Sequence, residues 1–181
     1  MKRIACVVAA LTLGLFAPGC VFTSGQIRLD FDLPTLTVST TSGIAGETID
    51  LSTEDEYTDN KDNIEDLSDL AVLGKFTNSG GAAIDVFVWM TPGISRHATV
   101  DELAGDATKV KLWGPFNVPA GATAIVDWDE SAKLFTKEGK AALLSETKGD
   151  GSFSLYAIAE QATYTFSVEN GSLVLVLDAG F

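Results

Sequence analysis

Leu70-Ala71-Val72-Leu73-Gly74-Lys75-Phe76 and Ile84-Asp85-Val86-Phe87-Val88-Trp89-Met90 are two apolar, β-rich runs separated by Thr77-Asn78-Ser79-Gly80-Gly81. Asn, Ser and Gly favour turns because they tolerate left-handed backbone or bond back to it, so the local reading is a hairpin pairing 70–76 with 84–90. The second run is apolar at nearly every position, which predicts a central strand covered on both faces. Thr91-Pro92-Gly93 stops it.

The same alternation continues in both directions. Towards the N-terminus, Ile27-Arg28-Leu29-Asp30-Phe31-Asp32-Leu33 alternates apolar with polar residues like a half-buried strand. Pro34 implies an edge position or a bulge, Leu36–Thr40 resumes the pattern, and Gly43 and Gly46 precede a short strand at Glu47–Leu51. Towards the C-terminus, strands are expected at 110–113, 123–128, 153–159, 164–168 and 173–177. Asn170-Gly171 between the last two is a strong hairpin signal.

Helical character is confined to short inserts. Thr99 caps a brief helix ending near Gly105. Ser131–Ser145 carries Leu134, Phe135, Ala141, Ala142 and Leu144 on one stripe; Gly139 weakens it, and Thr136 can start a separate helix. Strands divided by Gly, Pro and Asn turns predict a mainly β chain, an antiparallel β-sandwich over residues 27–181. Immunoglobulin-like topology is one form of it and a closed barrel the alternative; the Cys–Trp–Cys pattern of antibody domains is absent.

The first twenty residues are of another kind. Lys2 and Arg3 precede an apolar run from Ile4 to Phe16, and Ala17-Pro18-Gly19-Cys20 ends it with small residues before a cysteine. About a dozen apolar residues fall short of the ~20 that cross a bilayer as a helix. The order resembles a bacterial lipoprotein signal peptide. That resemblance implies removal of 1–19, diacylglycerol on the Cys20 thiol and acylation of its amine, with 20–26 as a short tether. Two or three acyl chains at ~0.8 kcal/mol per buried CH2 would hold the chain permanently. Because Val21 is not aspartate, the resemblance also implies the outer membrane in a cell that has two.

Cysteine usage agrees with export, and charge limits the partners. The cysteines are Cys6 and Cys20, and the first lies in the segment to be removed, so the mature chain could form no internal disulfide. Loss of Met1–Gly19 removes two basic and no acidic residues, taking the net charge from −13 to −15. Such a surface repels phosphate backbones, which argues against nucleic acid as a partner.

Three groups of residues invite a chemical reading. The acidic stretch 54–69 offers Asp55, Asp59, Asp62 and Asp66 as calcium candidates, since calcium takes six to eight oxygen ligands. Its spacing fails the EF-hand loop, with Lys61 and Ile64 at the third and sixth positions counted from Asp59. A short helix capped by Asp59 or Asn60, with Ile64 and Leu67 on one face and Asp59, Asp62 and Asp66 on another, explains the stretch better. His97, the only histidine, lies in a connecting stretch and reads as an exposed loop residue. Asp127 and Asp129 flank Trp128 and can be read as a paired acid and base; carboxylate chemistry is the kind left to a hydrolase here, because no Gly-x-Ser-x-Gly, His-Glu-x-x-His, P-loop or nucleophilic cysteine near a histidine is present.

The expectation is therefore a non-catalytic, membrane-anchored envelope domain with a structural or binding role towards a protein or a glycan. A calcium-dependent adhesion module and a carboxylate-dependent envelope hydrolase are the alternatives. Trp89, Trp113 and Trp128 could form sugar platforms, although tryptophans beside strands usually serve the core.

Overall fold

The computed structural model describes residues 24–40, 44–94, 96–161 and 163–180. The signal segment 1–19, Cys20 and the first residues of the tether lie outside them. The chain is mainly β, two antiparallel sheets packed as a sandwich with a few short helices. Sheet one contains β1 (Ser24–Leu33) and β2 (Leu36–Ser39) along one edge, then β9 (Thr165–Gly180), β4 (Ile64–Asn78) and β7 (Thr123–Val126). Sheet two has the order β3 (Ala45–Asp50), β8 (Ser152–Ala159), β5 (Ile84–Pro92) and β6 (Val110–Val118). The first strand starts at Ser24, inside the stretch 20–26 expected to be tether.

With β1 and β2 counted as one interrupted strand, the pairs β1–β9, β3–β8, β4–β7 and β5–β6 form a folded-over ribbon. Contacts of β4 with β9 and of β5 with β8 roll it up. That strand order is a jelly roll, so the sandwich has neither immunoglobulin-like connectivity nor the form of a closed barrel.

The expected hairpin between 70–76 and 84–90 does not form. These runs lie in β4 and β5, which belong to different sheets. Both are apolar enough to be central, and each has better partners elsewhere: β9 and β7 for β4, β6 and β8 for β5. The Asn/Ser/Gly loop instead carries the chain across the end of the sandwich, beside the returning crossing from β6 to β7. Asn78, fully buried, holds the two crossings together. Its Nδ2 donates to the carbonyls of Ala82, Val118 and Pro119 at 2.8–3.1 Å, its Oδ1 accepts from Gly80 N, and its backbone N–H donates to Ala122 O.

Asn170-Gly171 is not a hairpin either. It lies within the continuous strand β9, where the partner register slips between Leu73–Ser172 and Lys75–Glu169. A type I′ turn needs two left-handed residues, and here Asn170 alone is left-handed, with φ 51°. One such residue produces a bulge that bends the strand without reversing it. A Cβ on Gly74 would lie 3.3 Å from Gly171 Cα, which shows how closely the two backbones approach there. The edge strand breaks at the same level: β1 ends with Leu33 opposite Gly171, and β2 begins with Leu36 opposite Val168. Pro34 thus sits on a sheet edge, as its missing N–H demands.

The core lies between the sheets and includes Val38, Leu70, Phe76, Val86, Met90, Leu112, Phe153, Phe166 and Leu175. Phe76 of β4 stacks on Trp113 of β6 at 6.0 Å and meets Phe116 edge-on at 5.4 Å, joining the two sheets.

The helices are α1 (Asp55–Asn60), α2 (Val100–Gly105), α3 (Trp128–Leu134) and α4 (Lys137–Lys148). Thr99 and Glu102 form a capping box on α2, and Thr136 caps α4, as their positions predict. Gly139 belongs to the helix because its missing Cβ lets α4 rest on β6: a Cβ there would lie 2.6 Å from Leu112 Cα. The helix expected around Ile64 and Leu67 is absent. α1 ends at Asn60, and both residues belong to β4, where they face β9.

Replacing Asn78 by Asp keeps the volume but removes three donations and sets a buried carboxylate against three carbonyls. We expect a loss of at least about 3 kcal/mol, read as a lower denaturant midpoint at unchanged slope. A midpoint within error of wild type would show that the crossings do not depend on this amide.

Candidate functional site

β7 is short, and its length determines the site. It pairs with β4 only from Gly74 to Thr77. Upstream of Gly74, β4 would present unpaired backbone groups along that edge, a condition that proteins remedy by covering it. Here α3 does so. The buried Ser131 hydroxyl accepts Val72 N at 2.7 Å and the Trp113 indole N–H at 3.1 Å.

Docking α3 this way brings its first residue, Trp128, against the outer face of sheet one. Asp127 caps the helix by accepting from Glu130 N, and the Trp128 indole donates to Asp69 Oδ2 at 2.9 Å. Asp69 Oδ1 accepts from Leu70 N, so both carboxylate oxygens are engaged. A register slip in β4 between Leu67 and Asp69 puts Ser68 into a bulge, and its hydroxyl donates to Val176 O.

The facing wall comes from the polar positions of β1. Gln26 pairs with Asp178 and Arg28 with Val176 in register, so their side chains rise beside β9. Gln26 Nε2 donates to Asp178 Oδ1 at 3.0 Å and Ser68 Oγ at 3.3 Å. Arg28 binds Asp30 through Nε and Nη2, and its guanidinium carbon lies 5.9 Å from the centre of the Trp128 ring. Gln26, Arg28, Ser68, Asp69, Trp128 and Val176 line an open groove of about 630 Å³. A second hollow of about 380 Å³, lined by Gly25, Gln26, Glu65 and Asp178, adjoins it through Gln26. Volumes of a few hundred Å³ with convergent polar groups and one aromatic wall are typical of small-ligand sites.

The candidates drawn from the sequence are dispersed. Cys20 lies outside the described residues. The calcium candidates do not converge: Asp55 and Asp59 are on α1, Asp62 is in the single 3-10 turn that follows, and Asp66 is on β4, where its Oδ1 accepts from Leu67 N. Among the described residues, no group of three or more His, Cys, Asp or Glu side chains is placed to hold a metal ion.

What holds the acidic segment is Tyr57. Its fully buried ring sends the hydroxyl to Thr147 O at 2.8 Å, and burial, with Asp150 and Asp50 nearby, raises its pKa. Gly151, at φ 81°, passes so close that a Cβ would lie 2.6 Å from that hydroxyl. Lys148 Nζ adds a bond to Glu65 O at 2.7 Å.

Asp127 is a helix cap rather than half of a strand-borne acid–base pair. The three tryptophans occupy three places: Trp113 is core, Trp128 is half-buried in the groove, and Trp89 is half-buried on sheet two beneath Lys111 Nζ, 5.2 Å from its ring. No face presents two of them, so the sugar-platform reading rests on Trp128. Of the other groove residues, Arg28 was legible only as an outward position of a strand, Gln26 fell in the stretch read as tether, and Ser68 gave no signal.

His97 is not a free loop residue. Its Nε2 lies 2.8 Å from Asp106 Oδ2, its side chain is 21% exposed, and its ring packs on Tyr156 at 5.6 Å. Arg96 donates to Thr48 Oγ1 and pairs with Glu47, fastening the loop to β3. Hydrogen bonds from the Thr108 hydroxyl and backbone, then from His97, lower the Asp106 pKa to about 2.

No family model matches the chain, and no curated protein matches it. Two solved structures show a remote likeness. A cryo-EM structure of Mud crab tombus-like virus is 12% identical, covers 87% of this chain and 82% of its own, and has a TM-score of 0.36. A structure of infectious bursal disease virus Gt strain is 14% identical, covers 84% of this chain and 32% of its own, and has a TM-score of 0.29. Scores this low carry no argument, and the fold stands on the strand order.

Two measurements check these assignments. Adding millimolar calcium to EDTA-treated protein should leave the unfolding midpoint unchanged, whereas a rise of several degrees would mean that the dispersed carboxylates gather around an ion. A depressed carboxylate pKa gives stability that is complete above the unfolded value near 3.9 and lost as pH falls towards the folded value. Asp106 should therefore weaken the fold between about pH 4 and its own pKa of about 2. Asp106→Asn should lose part of the wild-type fall in midpoint across that window, and an identical fall would place the acid sensitivity elsewhere.

Proposed function

We propose that this chain is a non-catalytic lipoprotein of the cell envelope, anchored through Cys20, whose jelly roll serves a binding role beside the membrane. The observation that carries the reading is the position of β1. It begins at Ser24, four residues beyond Cys20, and pairs at once with Gly180 of β9. Extended chain spans at most ~3.6 Å per residue, so an acylated Cys20 would keep the sandwich within about 14 Å of the lipid surface.

Other features agree. Lys2, Arg3, the run Ile4–Phe16 and Ala17–Cys20 have the order of a lipoprotein leader. The groove begins on the first strand, at Gln26 and Arg28, near the anchored end.

The anchor is tested by Cys20→Ala in a bacterial host. Wild type should partition into the detergent phase and yield an N-terminal peptide carrying diacylglycerol mass, while the variant should move to the aqueous phase. Partitioning that does not change would mean that Cys20 is not the anchor.

A further inference from the structure

We propose that the groove on the outer face of sheet one binds neutral hexopyranose units of a glycan, with Trp128 as the stacking surface. The inference rests on the reading of this domain as a binding module and names the ligand class of its groove.

The chemistry of the lining selects the ligand. An indole wall offers a flat apolar face, and the C–H face of a pyranose is the flat, weakly apolar partner that fits it. Around it the Gln26 amide oxygen, Asp178 Oδ2 and Arg28 Nη1 are suited to vicinal hydroxyls, while Ser68 and Asp69 are bonded within the wall and hold its shape. An anion would meet Asp69, Asp178 and Glu65 on a chain of net charge −13. A cation placed against the indole would meet Arg28, which already lies 5.9 Å from the ring centre. A neutral polyol meets neither penalty.

The geometry also allows exchange. Arg28 is held by an exposed pair, its side chain 63% and that of Asp30 50% accessible, and such pairs are weakly held in water. A sugar ring takes the place of the guanidinium on the indole, and Arg28, whose Nη1 takes no part in the bond to Asp30, turns its donors to the ring hydroxyls. The platform itself is fixed by the bond from Trp128 to Asp69 and by the Ser131 dock of α3. The adjoining hollow at Gly25, Gln26, Glu65 and Asp178 gives room for a second unit, which favours an oligosaccharide over a free monosaccharide.

The test follows the three indole N–H resonances of the full chain in detergent micelles, assigned with Trp128→Phe, during titration with chitotetraose, cellotetraose and maltotetraose. The expected result is a saturable shift of the Trp128 resonance with at least one of them, with Trp89 and Trp113 unmoved. Gln26→Ala, an exposed substitution, should weaken that binding about threefold or more through its lost hydrogen bonds. No shift at about 10 mM of any of the three, weaker than any useful affinity, overturns the proposal. So does binding that Gln26→Ala leaves unchanged. The indoles report on the groove whether or not Cys20 is acylated, so this result and the partitioning result stand apart.

Discussion

The two crossings at the end of the sandwich must carry backbone polar groups past a sealed apolar core, and the Asn78 side chain meets that requirement. A jelly roll sends its ribbon from one sheet to the other in both directions at the same corner, so two loops with unpaired carbonyls lie side by side. Asn78 supplies both donors of one amide to Ala82, Val118 and Pro119 and accepts Gly80 N with its oxygen. A buried carbonyl left without a partner costs about 1–3 kcal/mol, so the corner is weaker by about that much for each carbonyl such a group does not reach. Closure brings Phe76 against Trp113 and Phe116, the contact that joins the sheets.

From that corner the groove follows almost mechanically. The returning crossing delivers β7, which ends at Val126 and leaves the edge of β4 open. A helix replaces the missing strand, and one hydroxyl, Ser131, satisfies both the strand and the buried indole of Trp113. Because Ser131 has to reach Val72, the start of α3 has to lie over the outer face of sheet one, and Trp128 is the residue there. The bulge at Ser68 and the alternation of β1 supply the polar wall. No element is dedicated to the groove; its shape results from repairing a sheet edge.

The acidity of the chain is managed in a similarly local manner. Segment 54–69 is pinned by one buried tyrosine and a lysine bonded to a backbone carbonyl, which leaves most of its carboxylates in water. The loop before β6 uses its charges differently: Asp106 accepts from both Thr108 and His97, and Arg96 reaches back to β3. The single histidine thus fastens a loop over Tyr156 on the outer side of sheet two.

Local chemistry written into the chain determined the strand content, the edge position at Pro34, the caps at Thr99 and Thr136, and the confinement of helices to short inserts. These depend on side-chain alternation and on residues three or four apart. Tertiary structure decided who pairs with whom. Thr77–Gly81 and Asn170-Gly171 both announce a change in the path of the backbone, yet one is a sheet-to-sheet crossing and the other a bulge. A glycine or asparagine lowers the cost of a left-handed residue without stating whether the chain then reverses, bends or crosses. Only the competition of β9, β7, β6 and β8 to pair with β4 and β5 decides that. The groove was beyond local reading for the same reason: Gln26, Ser68 and Trp128 are remote in sequence and meet because a strand that stops at Val126 obliges a helix to take its place.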